Sequence, residues 1–139
     1  MLSLNPRRLM LVLAAALLIS GCGLQVSEPD LFVLTRTGQG SKLTLLINDS
    51  GTISCNGAKA RPISDAMLIA ARDLTDSLSR DAARKLALAV GPGTVFSYRI
   101  RLQQGDVRFS DRDAGGHQEL AQAELFAAQA AQQDCGLSG

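Results

Sequence analysis

The most regular stretch of this 139-residue chain is Thr94-Val-Phe-Ser-Tyr-Arg-Ile-Arg-Leu-Gln103. Its apolar side chains (Phe96, Tyr98, Ile100, Leu102) alternate with polar or positively charged ones (Ser97, Arg99, Arg101, Gln103). Alternation with a period of two predicts a β-strand with one buried face and one wet face. Gln104-Gly105 then supplies a turn, and Val107 to Ser110 resumes the alternation, with Val107 and Phe109 directed inward. The stretch therefore predicts a β-hairpin.

Three more strands are predicted on the N-terminal side of this hairpin. Residues 31–36 and 42–48 are apolar and β-branched, and the turn residues Thr37-Gly38-Gln39-Gly40-Ser41 separate them. Asn48-Asp49-Ser50-Gly51 supplies a second turn, and Thr52-Ile53-Ser54-Cys55 follows as a short strand. Links this short favour an antiparallel meander.

The segment after the third strand carries the signals that begin a helix. Ser64 is a good N-cap, and Asp65 favours the positive end of a helix. Apolar residues then recur at intervals of three and four, at Met67, Ala70, Ala71, Leu74 and Leu78. We expect residues 79–90 to form a second short helix that ends by Gly91-Pro92-Gly93.

A last helix is predicted from His117 to Asp134, where Ala, Gln, Glu and Leu predominate. We expect Ala121, Leu125, Ala128 and Cys135 to share one face of this helix. The predicted order is β-β-β-α-β-β-α, which indicates an α+β fold with an antiparallel sheet of about 4–5 strands and helices on one face. We expect residues 30–139 to form a single domain of this kind.

The N-terminus carries an export signal. Arg7 and Arg8 precede an apolar run, residues 9–19, that is too short to cross a bilayer, because a transmembrane helix needs about 20 apolar residues. The run ends in Ile19-Ser20-Gly21-Cys22. We expect residues 1–21 to be a signal peptide.

Ile19-Ser20-Gly21-Cys22 resembles the lipobox of bacterial lipoproteins. The resemblance implies cleavage between Gly21 and Cys22 and attachment of diacylglycerol to the Cys22 thiol. Residues 22–29 would then be the acylated cysteine and a short tether, whose last seven residues reach roughly 23 to 25 Å when extended. The chain would be held on the extracytoplasmic face of a bacterial membrane, either the cell membrane or an outer membrane. The alternative is an ordinary secretory cleavage site that borders a cysteine.

The remaining cysteines, Cys55 and Cys135, form an even pair, and the predicted compartment permits disulfides. We predict that they are bonded, which would tie the end of the last helix to the sheet. A loop of about 80 residues closed in this way stabilises a fold by roughly 4 to 5 kcal/mol in the chain-entropy model. A metal site or a reactive thiol pair is the alternative, but the chain has no CxxC.

Charge and side-chain chemistry argue against several classes of function. Residues 22–139 carry 12 basic and 13 acidic side chains, and aromatic residues make up 4% of the chain, so no nucleic-acid footprint is evident. His117 is the only histidine and lies in a glycine-rich loop, while Asp111 and Asp113 fit a solvated turn better than a carboxylate pair or a cation site. The sequence predicts neither an enzyme nor a cofactor or metal.

One arrangement of charge stands out. Arg99, Arg101 and Arg108 project from the wet face of the predicted hairpin. They would form a cationic patch for an acidic partner or for lipid headgroups; the alternative is a solvated sheet face.

Two groups of known proteins resemble the part of the chain after the anchor. Small uncharacterised bacterial lipoproteins have runs similar to Arg36-Thr37-Gly38, Ile63-Ser64-Asp65, Phe96-Ser97-Tyr98-Arg99 and Phe109-Ser110-Asp111. The emfourin family of small metalloprotease inhibitors is similar in element order over about residues 31–130, with Gly38-Gln39-Gly40 in place of the emfourin double glycine. The first resemblance implies no particular function. The lipobox and the absence of a catalytic constellation predict a non-enzymatic binding or envelope-accessory domain that contacts an unknown envelope protein. The second implies a surface-tethered protease inhibitor.

Overall fold

The computed structural model describes residue 26 and residues 29–137. Residues 1–21, the cleavage position Gly21, the lipidation candidate Cys22 and most of the tether 22–29 lie outside the described residues. The elements are β1 (Asp30–Gly38), β2 (Ser41–Asn48), β3 (Thr52–Cys55), β4 (Arg61–Pro62), α1 (Asp65–Ala83), β5 (Ser97–Leu102), β6 (Gly105–Ser110) and α2 (Gln118–Gln133).

The strands form one sheet in the order β4-β3-β2-β1-β5-β6. Every neighbouring pair is antiparallel, which confirms the α+β class. The sheet has one strand more than predicted, the two-residue β4. Pro62 has no N–H to donate to a neighbouring strand, and the sheet tolerates it because β4 is an edge strand.

Both helices pack on one face of the sheet, and the hydrophobic core lies between the helices and that face. β1 is central: its Leu34 lies opposite Leu45 of β2 and Ile100 of β5, and all three side chains are fully buried. The rings of Phe32 and Phe126 join β1 to α2 edge to face, with centroids 5.5 Å apart. Full burial of such a side chain stabilises a fold by about 1.5 to 3 kcal/mol.

The first helix begins as predicted and ends differently. The Oγ of Ser64 accepts a hydrogen bond from the N–H of Met67 at 3.2 Å, and the predicted apolar stripe faces the core. The prediction of a second short helix over residues 79–90 is wrong. Residues 79–83 continue α1, and Lys85 then takes a left-handed backbone conformation that ends the helix.

The chain beyond Lys85 runs along the outer edge of β6 instead of forming a helix. The N–H of Leu88 donates to the C=O of Arg108 at 2.9 Å, and the N–H of Arg108 donates to the C=O of Leu86 at 2.8 Å. These bonds satisfy main-chain groups that β6 would otherwise expose at the sheet edge. Pairing with the sheet therefore overrides the helical propensity of the local sequence.

The second helix lies where it is predicted, and its buried face is not the one that Ala121 and Leu125 share. Its buried residues are Leu120, Ala123, Phe126, Ala127, Ala130 and Ala131. Ala121 and Leu125 are exposed. Cys135 lies beyond the helix end at Gln133, where helical spacing no longer applies. The larger side chains, Leu120 and Phe126, set the true face.

The predicted disulfide between Cys55 and Cys135 is present, with the two Cα atoms 5.8 Å apart. It joins the end of β3 to the turn that follows α2. Among the described residues, neither helix is long and apolar enough to cross a membrane.

Candidate ligand-binding groove

The sheet surface opposite the helices, called the open face, carries the outward side chains of the same strands. Neighbouring residues of a strand project to opposite sides, so each buried residue has an outward neighbour. The outward residues include Thr35 and Thr37 of β1, Lys42 of β2, Ser97, Arg99 and Arg101 of β5, and Asp106 and Arg108 of β6. The open face is thus rich in hydroxyl groups and positive charges.

Residues 86–90, called the edge segment, border the open face along β6. Ala87 forms a parallel bridge with Arg108, and the two hydrogen bonds described above hold this end of the segment to the sheet. At the other end of the edge segment, Val90 is 65% exposed. The edge segment therefore supplies an apolar wall beside a polar floor.

Between the edge segment and the open face lies a groove of about 610 Å³. Its lining consists of Thr35, Thr37, Lys42, Ala87, Leu88, Ala89, Val90, Ser97, Tyr98, Arg99, Arg108 and Phe109. A recess of about 400 Å³, lined in part by Lys85 and Asp106, adjoins the groove and shares Ala87 and Arg108 with it. Small-molecule and peptide subsites have volumes in this range.

The three arginines of the predicted cationic patch meet at one carboxylate, Asp106. The Nε of Arg99 donates to Asp106 Oδ2 at 2.8 Å, and a second nitrogen of Arg99 contacts the same oxygen. The Nε of Arg101 donates to Oδ1 at 3.2 Å, and Arg108 Nη2 lies 3.9 Å from Oδ2. Arg108 is the least engaged of the three, and its side chain is 57% exposed.

Asp106 holds this cluster together as an anion. Partial burial raises the pKa of Asp106, but the hydrogen bonds and charges of Arg99 and Arg101 outweigh burial and hold the pKa below its ordinary value of 3.8. The carboxylate is consequently ionised at neutral pH. It fixes Arg99 and Arg101 in place and leaves Arg108 directed at the groove.

The charges around the groove are predominantly positive. Arg99, Arg101 and Arg108 surround one carboxylate, Lys42 adds a further positive charge to the lining, and the residues that line the groove itself include no acidic side chain. Several like charges beside a concave surface attract and orient ligands of opposite sign. The arrangement suits a ligand that carries negative charge.

Asp111 and Asp113 serve the fold. The carboxylate of Asp111 accepts the N–H groups of Val95 and Phe96 at 3.1 and 3.3 Å. Asp113 accepts the N–H and Oγ–H of Ser110 at 2.7 and 3.0 Å. Both carboxylates thus satisfy groups at the ends of β5 and β6.

His117 lies at the start of α2, with Nδ1 3.6 Å from Glu119 Oε1. Its side chain is about half exposed and lies outside the groove lining. Within residues 29–137, no three His, Cys, Asp or Glu side chains are grouped closely enough to hold a metal ion.

A polar cluster on the helix side went unnoticed in the sequence. The hydroxyl of Tyr98 donates to the carboxylate of Glu124 and accepts from Arg36, whose guanidinium lies 4.7 Å from the ring centre of Phe96. Burial, together with the nearby carboxylate of Glu124, raises the pKa of Tyr98 to about 12. Burial, followed by the charge of Asp111, also raises the pKa of Glu124. This cluster ties α2 to β5 and β1.

The alternation of β5 and β6 places the three arginines correctly on one face, but the sequence does not reveal the groove. Its wall depends on the edge segment, which was predicted to be helical, and its far end depends on Lys42, three strands away from β6. A cleft between the two helices is smaller, about 190 Å³, and no positively charged side chain lines it.

Comparisons with known proteins identify no relative of this chain. No family model matches it, and neither a curated protein nor a solved structure resembles it significantly.

Proposed function

We propose that this chain is a lipid-anchored, non-enzymatic domain of the bacterial cell envelope that binds a partner in the groove on its open face. The observation that carries the proposal is the groove itself: about 610 Å³, with positively charged and hydroxyl side chains on its floor and an apolar wall. Pockets that combine an apolar wall with a few convergent polar groups are typical of binding sites. The lipobox sequence at Cys22 supports the anchor.

The position of the groove relative to the anchor favours a partner outside the lipid layer. The tether joins the chain at Asp30, where the central strand β1 begins. Thr37, which lines the groove, lies opposite Lys42 at the other end of β1. The groove thus extends toward the end of the sheet farthest from the point of attachment.

The anchor is tested by Cys22→Ser in the full chain. Two or three acyl chains hold a protein on a membrane essentially permanently, so the wild-type chain should partition into the detergent phase and the variant into the aqueous phase. Lys59→Gln is the control, because it changes one exposed side chain and leaves the lipobox and the disulfide intact. Equal partitioning of wild type and Cys22→Ser would refute lipidation.

The groove is tested by cross-linking in intact cells, followed by mass spectrometry of the proteins that copurify. Arg108→Glu reverses a charge in the groove, and Lys59→Glu makes the same change on an exposed loop near the opposite edge of the sheet. A partner that is captured by the wild type and by Lys59→Glu, and lost with Arg108→Glu, supports the proposal. A partner captured equally by all three would place the binding surface elsewhere.

The same experiment tests the alternative function, a surface-tethered inhibitor similar to the emfourin family. That function requires one protease recovered in nearly equal amount with this chain. Envelope assembly or transport proteins in the captured material would favour the accessory role instead.

A further inference from the structure

We propose that the ligand of the groove is an extended acidic peptide segment of a partner protein, with two carboxylates placed far apart along it. This inference rests on the proposed function, because it names the ligand class of the same groove. It follows from the spacing of the positive charges, the chemistry of the floor between them, and the apolar wall.

The spacing of the charges is set by the sheet. Lys42 lies on β2 and Arg108 on β6, with β1 and β5 between them. Neighbouring strands are about 4.8 Å apart, so these two residues are separated by about 14 Å across the sheet. They are also displaced by two residues along the strands, because Lys42 is in register with Thr37 and Ser97, and Arg108 with Arg99 and Thr35. The combined separation of the Cα atoms is about 16 Å.

Side chains stand roughly perpendicular to a sheet, so the charged ends of Lys42 and Arg108 are separated by about as much as their Cα atoms, and one carboxylate or phosphate group does not contact both. An extended peptide rises about 3.4 Å per residue, so side chains four residues apart, which project to the same side, are about 14 Å apart. Acidic residues at that interval match Lys42 and Arg108, which are the two positively charged residues of the lining that are most exposed. Arg99, although held by Asp106, lies between them.

The floor between the two charges suits a peptide main chain. Thr35, Thr37 and Ser97 line it, and each hydroxyl can donate and accept a hydrogen bond. A peptide presents both N–H donors and C=O acceptors to such a floor, whereas a polyphosphate presents acceptors only. The exposed side chain of Val90 adds an apolar contact that a peptide side chain can cover and a phosphate cannot.

The experiment measures binding of fluorescent peptides to the full lipidated chain, purified from membranes in a neutral detergent. Three ten-residue peptides of alternating Thr and Val are compared: one with Glu at positions 3 and 7, one with Glu at positions 5 and 7, and one with Gln at positions 3 and 7. The first two have the same composition and net charge and differ only in the spacing of the carboxylates. Fluorescence anisotropy gives the affinity of each.

We expect the peptide with carboxylates four residues apart to bind about tenfold more tightly than the one with carboxylates two residues apart, and the Gln peptide to bind most weakly. Raising the salt concentration should reduce the difference, because these charges are exposed to solvent. Equal affinity of the two Glu peptides would overturn the proposed spacing.

Variants connect the spacing to the two residues. Lys42→Gln and Arg108→Gln should each remove the preference for carboxylates four residues apart, and Lys59→Gln, the matched control, should leave it unchanged. The melting temperature of each variant shows that its fold is intact.

Two further probes separate failure of this inference from failure of the proposed function. If pyrophosphate or vesicles containing an anionic lipid bind with the same dependence on Arg108 while the peptides do not, the groove binds anions but the peptide proposal is wrong. If the peptides do not bind, and cross-linking still captures a partner that depends on Arg108, the proposed function stands without this ligand class. If neither occurs, both are overturned.

Discussion

The two faces of the sheet differ completely although the same strands build them. Leu34 and Thr35 are neighbours in β1, yet Leu34 is fully buried beneath the helices and Thr35 lines the groove. The face under the helices holds most of the apolar core, and the open face holds the arginine cluster around Asp106. One alternation along the strands thus places the apolar core on one side and the hydroxyl and positively charged side chains of the groove on the other. Substitutions one residue apart should consequently have unrelated effects.

The largest effect should come from the disulfide, which belongs entirely to the helix-covered side. Replacing Cys55 and Cys135 together by alanine should lower the free energy of unfolding by about 4 kcal/mol, because a closed loop of about 80 residues is released in the unfolded chain. Urea denaturation measures this loss. A reducing agent should destabilise the wild type similarly and leave the double variant unchanged. Binding in the groove should persist in the variant below its unfolding transition.

The next effect compares the two faces directly within one strand. Leu34→Ala should destabilise the fold by about 3 kcal/mol, because it removes buried methyl groups and leaves a cavity. Thr35→Ala should change stability by less than about 0.5 kcal/mol and should weaken binding in the groove. Urea denaturation and peptide anisotropy on both variants check this pair. Similar losses of stability in the two variants would contradict the division between the faces.

A smaller effect is expected where the β5–β6 hairpin meets α1. Gly105 has φ +148°, and a Cβ added there would lie 2.3 Å from the carbonyl oxygen of Ala82. Gly105→Ala should therefore destabilise the fold by about 2 kcal/mol, since the backbone conformation and the contact are both strained. Gly91→Ala is the matched control: its Cβ would meet no atom within 4 Å, and its stability should equal that of the wild type. Thermal unfolding of both variants distinguishes the two positions.

The smallest effect is a difference in pH dependence between a carboxylate of the open face and one of the covered face. The pKa of Asp106 is lowered in the folded chain, so its contribution to stability is present above the ordinary value of 3.8 and is lost as pH falls through the lowered pKa. The pKa of Glu124 is raised, so folding gains stability as pH falls through that raised pKa toward the ordinary value of 4.5. Asp134 shares this direction, because burial raises its pKa.

Urea denaturation at a series of pH values from neutral to pH 3 gives the free energy of unfolding of the wild type and of two variants. The difference between wild type and each variant shows the opposite pH dependences of the two carboxylates. Glu124→Gln should remove part of the stability that the wild type gains as pH falls toward 4.5. Asp106→Asn should remove part of the stability that the wild type loses as pH falls below 3.8. Each difference should be less than about 1 kcal/mol, because both side chains are partly exposed to solvent. Difference curves with the reverse slopes would contradict the assigned directions.

The parts of the fold that local pattern specifies were predictable, and those that depend on distant contacts were not. The alternation of apolar and polar side chains in residues 94–110 predicts the hairpin and the outward direction of the three arginines. Ser64 gave the start of α1 through its side-chain hydrogen bond. In contrast, residues 86–90 carry an Ala- and Leu-rich helical composition, and only the unpaired edge of β6 explains why they are extended.

The sequence predicts the positive charges of the candidate site, but it does not predict the shape of the groove. Arg99, Arg101 and Arg108 could be placed on one face from their spacing. Their engagement by Asp106 could not, because Asp106 follows the Gln104-Gly105 turn and its direction depends on the register of β6. Lys42 could not be connected with them either, since the order of the strands is a property of the whole sheet.

The attachment of the edge segment to the sheet has a consequence for local unfolding. The amide of Leu88 is protected by one hydrogen bond to β6 at the margin of the sheet, whereas the amides of β1 lie between two paired strands. Amide hydrogen exchange at Leu88 should therefore proceed by local separation, at a lower free energy than exchange in β1. Separation of the edge segment would therefore change the wall of the groove and leave the disulfide-linked side of the sheet intact.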